Sequence, residues 1–178
     1  MNMKISSRII TNIGLLIALS IILTRIASIR IAIGGIEGVR IGFGGLPIIL
    51  GGIMFGPLAG GIVGGVSDIL GYIVNPIGAY MPHFTLSSAL TGIIPVLFLH
   101  ISRKDSLNIL NLILAIAIGQ IITTAIMVPY FLHILFGIPW KVLIIPRLVS
   151  VPINILIYSL LIRIILTRYQ KIFPQPRD

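Results

Sequence analysis

The chain has no cysteine and few charged residues. The absence of cysteine among 178 residues excludes disulfides and thiolate metal sites. Only 10% of the residues are charged, with four acids against 13 lysines and arginines, whereas 57% are hydrophobic. The mean hydropathy of +1.13 lies far above that of soluble proteins. The composition therefore predicts an integral membrane protein.

Motifs for several kinds of chemistry are also missing. No lysine follows a glycine, so the Gly-Lys pair of a phosphate-binding loop is absent and ATP hydrolysis by that route is excluded. The three histidines lie on different segments without paired carboxylates, so no metal site is expected. No GxSxG turn for a serine nucleophile is present. We therefore expect no cofactor, and these motifs give no support for an enzyme.

Apolar runs, separated by glycine, proline and polar loops, predict a compact bundle of six transmembrane helices. They cover residues 9–27, 46–55, 58–74, 85–101, 107–135 and 142–166. The second run is short for a full crossing, and Pro129 is expected to break the fifth. The linker over residues 28–45 is predicted to form a hairpin or short strand. We interpret residues 1–178 as a single all-α transmembrane domain.

The distribution of lysine and arginine predicts the orientation, because these residues are retained on the cytoplasmic side. Six crossings place eight cations on the side of the termini and five on the other side. Both termini are therefore predicted to be cytoplasmic, in a multi-pass protein of the cytoplasmic membrane. The net charge of +9 is assigned to this topology and to anionic lipid rather than to nucleic acid. The outer cations are Arg25, Arg30, Arg40, Lys141 and Arg147.

These outer cations face only two acids, Glu37 and Asp68. Such an excess of positive charge suits an anionic ligand. A second interpretation stays open for Arg25, Arg30 and Lys141, since long basic side chains at helix ends also reach lipid phosphates.

Asp68 is the single acid placed deep in a predicted membrane helix, and such an acid marks a functional site by default. A helix that begins near Pro57 raises Asp68 by roughly 16 Å, past the membrane midplane. Tyr72 follows one turn later on the same face. A carboxylate accepts two parallel N–H donors, as a 2-amino heterocycle presents them, and the tyrosine supplies an aromatic wall. The alternative is an ion pair with Arg25 or Arg147.

Small residues recur four apart in two places. Gly52, Gly56, Gly60 and Gly64 predict close packing of a helical hairpin within the chain rather than an oligomer interface. In the first helix, Gly14 and Ala18 have the same spacing. They are expected either to pack internally or to form a face for a partner helix.

The runs RIGFGGLPIILGGIMFGPLAGGIVGGVSDILGY and NPIGAYMPHFTLSSALTG resemble the folate-specific S component of energy-coupling-factor (ECF) transporters. The resemblance is strongest over residues 40–92, and it extends to LTRI at Arg25 and PRLVSVP at Arg147. It implies a six-helix subunit that binds a vitamin in its outer half. Such a subunit docks on a transmembrane coupling protein served by two ATPase subunits and has no catalysis of its own.

The resemblance also implies which residues serve the ligand. The residues expected at the substrate site are Arg25, Arg40, Phe43, Asp68, Tyr72, Tyr80, Phe84, Thr85 and Arg147. Gly14 and Ala18 occupy the positions of the family's docking pair of two alanines. Two departures, the second glycine of GFGGLP and His83 in place of the usual glycine, bear on which vitamin is bound.

The expected ligand is folate or a related small anionic vitamin. The nearest alternative is an S component for pantothenate, biotin or thiamine. More distant alternatives are a secondary transporter that works alone, with Asp68 as a proton site, and a membrane enzyme of lipid metabolism.

Overall fold

The architecture is a bundle of apolar helices with one small hairpin. The structure, a computed structural model, describes residues 7–25, 29–33, 36–76, 80–102 and 107–172, with side chains over 7–25, 42–76, 80–102 and 107–169. A π-helical segment (Ile121–Met127) continues the fifth helix into the sixth. The helices are α1 (Ser7–Arg25), α2 (Gly45–Phe55), α3 (Pro57–Val74), α4 (Pro82–Ile101), α5 (Ile109–Gln120), α6 (Val128–Phe136) and α7 (Trp140–Ile172).

Five helical stretches are long and apolar enough to cross a membrane: α1, α3, α4, the continuous helix Ile109–Phe136, and Trp140–Tyr169. This confirms the prediction of a polytopic membrane protein. The sixth predicted crossing, α2, has only 11 residues. At 1.5 Å per residue it is about 16 Å long, roughly half the hydrocarbon thickness.

Short as it is, α2 still reverses the direction of the chain. Gly44, just before α2, lies against Thr24 near the end of α1, and Gly51 lies against Leu16, two turns earlier in α1. The residues of α2 from Leu46 to Gly52 are all buried. The helix therefore descends inside the bundle, antiparallel to α1, so that the C-terminal ends of α1 and α3 meet the N-terminal ends of α2 and α4. We call this end of the molecule the pocket end.

The linker after α1 contains two antiparallel strands, β1 (Ile29–Ile33) and β2 (Ile36–Ile41). Ile29 pairs with Ile41 and Arg30 with Arg40. The sequence suggested a hairpin or short strand here, and that suggestion is confirmed. The all-α class therefore describes the helical bundle, and the hairpin is a small addition to it.

The prediction that Pro129 breaks the fifth helix is wrong. The chain stays helical through this proline because the preceding turns widen into the π-helical segment, in which the Val128 N–H bonds the Thr123 carbonyl five residues back. The wider turns accommodate the proline ring, which in an α-helix clashes with the carbonyl four residues before it.

Glycines bring three helices into backbone contact. A Cβ on Gly52 or on Gly60 would lie within 2.6 Å of the Gly92 carbonyl oxygen, and one on Gly64 would lie 2.2 Å from the Ser88 carbonyl oxygen. Gly52, Gly60 and Gly64 thus serve packing within the chain, as predicted, whereas Gly56 does not: a Cβ there would meet no atom within 4 Å, and its φ of +98° belongs to the turn between α2 and α3. The main partner of the three packed glycines is α4, which the hairpin interpretation did not include.

Candidate functional site

A cavity of about 430 Å³ lies at the pocket end, between the helices. Its rim includes Tyr80 and Phe136, which are 40% and 55% exposed. Its floor includes Ser20 and Thr123, each 1% exposed. The cavity therefore runs from an open, aromatic rim down to a buried, polar floor. A volume of this size suits a small-molecule ligand.

Asp68 lines the cavity at the end of a chain of hydroxyl groups. The Thr85 hydroxyl donates to Asp68 Oδ2 at 2.7 Å. The Tyr80 hydroxyl lies 2.9 Å from Thr85 Oγ1, and because Thr85 has already used its one proton, Tyr80 is the donor there. Tyr72 packs on Tyr80 with ring centroids 5.2 Å apart. The network fixes the carboxylate beside two aromatic rings.

The alternative of an ion pair for Asp68 is not supported. Within the ranges that the structure describes, the hydrogen-bond partner of Asp68 is Thr85, and no ion pair joins its carboxylate to Arg25 or Arg147. Both arginines nevertheless line the same cavity. One cavity therefore offers a carboxylate and two guanidinium groups that do not neutralise each other directly.

Each arginine is held by backbone carbonyls. Arg25 Nη1 donates to the carbonyl of Asn75 at 2.9 Å, and its guanidinium lies over Gly71, where a Cβ would come within 3.2 Å of Nε. Arg147 Nε donates to the Thr124 carbonyl at 3.1 Å, and its Nη1 donates to the Leu143 carbonyl. Both side chains are half-buried, so their charges act within the cavity wall.

The sequence analysis missed a polar stripe on α7. Ser150, Asn154 and Tyr158 line the cavity at four-residue intervals, and each is no more than 6% exposed. Tyr158 donates to the Gly42 carbonyl and packs where a Cβ on Gly45 would lie. Polar residues at helical spacing in an otherwise apolar helix are a signal that the sequence contains. Their alignment with Arg147 identifies the face that turns inward.

A second set of missed residues comes from the middle of the bundle. The Thr91 and Thr123 hydroxyl oxygens lie 3.0 Å apart, and Thr124 donates to Gln120 Oε1 at 2.8 Å. Ser20 donates to the Gly44 carbonyl at 2.9 Å. These side chains give the floor hydroxyl and amide groups able to bond a polar ring. The cavity residues that the sequence analysis did not name include Ser20, Ser67, Ser87, Ser88, Thr91, Gln120, Thr123, Thr124, Ser150, Asn154 and Tyr158.

Most of the residues expected at the site are brought together. Thr85 supports Asp68 from behind without lining the cavity, and Phe43 is not in its wall, whereas the neighbouring glycines 42 and 44 are. The backbone of Arg40 lies in β2, but its side chain falls outside the described residues. The expected residues that line the cavity are Arg25, Asp68, Tyr72, Tyr80, Phe84 and Arg147.

Gly14 and Ala18 lie on the outer surface of α1. Both are exposed, and a Cβ on Gly14 would meet no atom within 4 Å. Of the two interpretations left open by the sequence, internal packing is therefore wrong for the described part of the chain. The face remains available to a partner helix.

Two of the three histidines make aromatic contacts. His83 lies 4.8 Å from the ring of Phe131, and His133 lies 5.1 Å from the ring of Trp140, between centroids. Over the described residues, no group of three His, Asp or Glu side chains stands close enough to hold a metal ion. The chemistry of the cavity is therefore that of hydrogen bonds, charges and aromatic rings.

The chain is similar to known proteins over most of its length. A family model described as ECF-type riboflavin transporter, S component, matches residues 4–171. The folate transporter FolT of Clostridium novyi (strain NT) is 40% identical over 147 residues, which cover 83% of this chain and 81% of that protein.

Two solved structures match the fold. The crystal structure of FolT bound with folic acid superposes with a TM-score of 0.74 at 26% identity, over 89% of this chain and 93% of that one. A structure of the S component of a bacterial ECF transporter gives a TM-score of 0.70 at 22% identity, over 94% of this chain and 98% of that one.

Proposed function

The chain belongs to the family of ECF-type riboflavin transporter S components, and we propose that this member is the folate-binding subunit of an ECF importer. The proposal treats residues 1–178 as one transmembrane domain that captures its ligand and delivers it through a separate module. Membership of a transporter family, rather than an enzyme class, is consistent with a cavity that binds without catalysis.

The single observation that carries the proposal is the coexistence of Asp68, Arg25 and Arg147 in one cavity with no ion pair between the acid and either arginine among the described residues. Folate carries complementary groups at its two ends. Its pterin presents a 2-amino group beside a ring N–H, and its glutamate tail carries two carboxylates. The carboxylate of Asp68 can accept the two N–H donors of the pterin, and the guanidinium groups can bind the two carboxylates of the tail.

We propose that Asp68 accepts hydrogen bonds from the pterin. Thr85 uses one lone pair of Oδ2, and Oδ1 makes no hydrogen bond to any described residue. A carboxylate has about four acceptor positions, so room for two N–H donors is left. Tyr72, Tyr80 and Phe84 supply aromatic surface beside it. We propose that the pterin lies among these rings and that the tail extends toward Arg25 and Arg147, with Arg40 joining from β2.

Riboflavin is the second candidate, because the matching family model is described by that vitamin. Its flavin ring offers an imide N–H but no 2-amino group, and its ribityl chain carries no carboxylate. Two arginines in the cavity wall match folate better. The relative of 40% identity, a folate transporter, supports the same choice.

We propose that the protein resides in the cytoplasmic membrane with both termini inside and the cavity facing outward. Arg25, Lys141 and Arg147 lie at the pocket end, while Arg8, Arg163 and Arg168 lie toward the opposite end. The inner cations that complete the charge count, among them Lys4, Arg103, Lys104 and Arg177, fall outside the described residues. The excess on the side of the termini is the pattern of cytoplasmic retention.

Calorimetry on the purified full-length protein tests the proposed ligand. We expect saturable one-to-one binding of folate, and in competition no displacement by riboflavin, pantothenate, biotin or thiamine. Folate combines a 2-amino heterocycle for Asp68 with two tail carboxylates for Arg25 and Arg147, whereas pantothenate and biotin have one carboxylate without that heterocycle and riboflavin and thiamine have no carboxylate. Displacement of folate by riboflavin at comparable concentration would transfer the assignment to riboflavin. No binding of folate, with none carried from the cells, would refute the proposal.

The exposed face around Gly14 and Ala18 is the proposed docking site for the coupling protein, which two ATPase subunits serve. We expect Ala18→Trp to abolish ATP-dependent folate uptake in liposomes that contain the whole importer, since a bulky ring holds two helices apart. Folate binding to the isolated subunit should be unchanged, because Ala18 lies outside the cavity.

The matched control for this prediction is Leu97→Trp, which adds a ring at an exposed position of α4. It should leave uptake intact. Equal loss of uptake in both variants would contradict docking at the α1 face, as would full uptake by Ala18→Trp. Uptake by the subunit alone in liposomes would favour a secondary transporter.

A further inference from the structure

The π-helical segment ends where the chain reaches Pro129. Its last backbone bond runs from the Val128 N–H to the Thr123 carbonyl, five residues back. The next bond of the same pattern would run from residue 129 to the Thr124 carbonyl, but proline has no N–H. The α-helical donor for that carbonyl would be Val128, which bonds Thr123 instead. The backbone of this helix therefore leaves the Thr124 carbonyl without its regular donor.

A side chain from another helix uses that carbonyl. Arg147 of α7 donates its Nε–H to the Thr124 oxygen at 3.1 Å, while its Nη1 donates to Leu143 one turn earlier in α7. The hydroxyl of Thr124 bonds Gln120 and does not compete for this contact. Two carbonyls, one on each helix, thus accept hydrogen bonds from the guanidinium in the cavity wall.

From this geometry we infer that Pro129 is a positioning residue for Arg147. By withholding an N–H, the proline keeps the Thr124 carbonyl available, and that carbonyl orients the guanidinium toward the ligand. Pro129 itself is fully buried and does not line the cavity. The importance of this orientation for binding rests on the proposed function, since Arg147 there receives a carboxylate of folate. The orientation itself does not depend on the ligand.

The variant Pro129→Ala tests the inference, because it restores an N–H at position 129. If the π pattern continues, the new N–H donates to the Thr124 carbonyl. If the segment returns to an α-helix, the new N–H donates to the Ala125 carbonyl, and the Val128 N–H donates to the Thr124 carbonyl. In both cases the Thr124 carbonyl acquires a backbone donor that competes with Arg147 Nε, so the bond between Arg147 Nε and this carbonyl should weaken or break. Alanine is a good helix former, so the variant is expected to fold.

A ligand-independent measurement comes first. In NMR spectra of protein labelled at arginine Nε, the Arg147 signal, identified by its loss in Arg147→Gln, should be protected from exchange with water. In Pro129→Ala it should exchange rapidly. The control Pro152→Ala removes an exposed proline of α7 that does not line the cavity, and protection should persist. An Arg147 signal that is unprotected in the natural protein, or equally protected in Pro129→Ala, would overturn the inference.

Folate affinity provides the second measurement. Pro129→Ala should weaken binding about tenfold, the loss expected for one charge-assisted hydrogen bond. In an Arg147→Gln background the same substitution should change affinity less than about twofold, because its effect passes through Arg147. Additive losses would indicate a merely structural role and overturn the inference. If the natural protein does not bind folate, the proposed function fails, while the NMR result still decides whether Pro129 positions Arg147.

Discussion

Gly64→Ala is expected to destabilise the helical bundle by about 3 kcal/mol, the upper part of the usual range for overpacking. The added Cβ would lie 2.2 Å from the Ser88 carbonyl oxygen, 2.7 Å from its carbonyl carbon and 3.0 Å from the Cα of Ala89. All three are backbone atoms of α4, so no side-chain rotation relieves the contact. The helices must move apart, and the Ser88 hydroxyl then loses its 2.9 Å bond to the Gly64 carbonyl.

The neighbouring residue provides a matched control. A Cβ on Gly65 would meet only the side chains of Ala89 and Thr85, each at 3.9 Å, which is ordinary contact distance. Gly65→Ala should therefore be neutral or slightly stabilising, because alanine favours a helix by up to about 1 kcal/mol over glycine. Thermal unfolding of both variants in detergent measures the difference. Equal midpoints for the two would contradict the close contact of α3 with α4.

These glycines show what a spacing pattern can and cannot predict. A repeat of four places small residues on one face of a helix, so close helix packing follows from the sequence alone. The repeat does not identify the partner. In the structure Gly92 of α4 lies between Gly52 and Gly60, and it has no glycine four residues away on its own helix to reveal it.

The helices were predictable because a membrane helix must satisfy its own backbone hydrogen bonds over a long apolar run. The predicted boundaries 58–74 and 85–101 agree closely with α3 and α4. A break at Pro129 was predicted because proline lacks the N–H that an α-helix needs. The composition did not show that the turns before Pro129 widen into a π-helix, which accommodates the proline. The depth of α2 was also not predictable, since its length alone cannot show that it descends inside the bundle.

In the cavity, the charged residues were predictable and the neutral polar ones were overlooked. Asp68, Arg25 and Arg147 stand out because a charge in an apolar segment is costly. Serine, threonine and asparagine cost less, and each can bond a carbonyl of its own helix, so none is conspicuous singly. The four-residue intervals between Ser150, Asn154 and Tyr158 indicate one polar helix face. Because Arg147 lies on the same face, that face can be identified as the one that lines the cavity.

Asp68→Asn is expected to weaken folate binding by about 1.5 to 3 kcal/mol, or roughly 10-fold to 150-fold, the range for a hydrogen bond to a charged group. The carboxylate oxygen that bonds Thr85 at 2.7 Å belongs to a group that only accepts hydrogen bonds. Asparagine replaces one oxygen with an amide N–H₂. If the N–H₂ group faces Thr85, the Thr85 hydroxyl loses its acceptor. If it faces the ligand, an N–H donor of the pterin loses its acceptor.

An analogue of folate without the 2-amino group separates a direct contact from a change in the fold. If Asp68 accepts from that amino group, the analogue should bind the natural protein weakly and should lose much less than folate does in Asp68→Asn. Thr85→Val, which removes the Thr85 hydroxyl but keeps the Asp68 carboxylate, should produce a smaller loss, since Thr85 does not line the cavity and only orients Asp68. Calorimetry measures the affinities for the analogue, for Asp68→Asn and for Thr85→Val, on proteins whose thermal stabilities have been shown to be equal. Unchanged folate affinity in Asp68→Asn would remove this carboxylate from the site and leave the arginines as the sole argument from the cavity for folate.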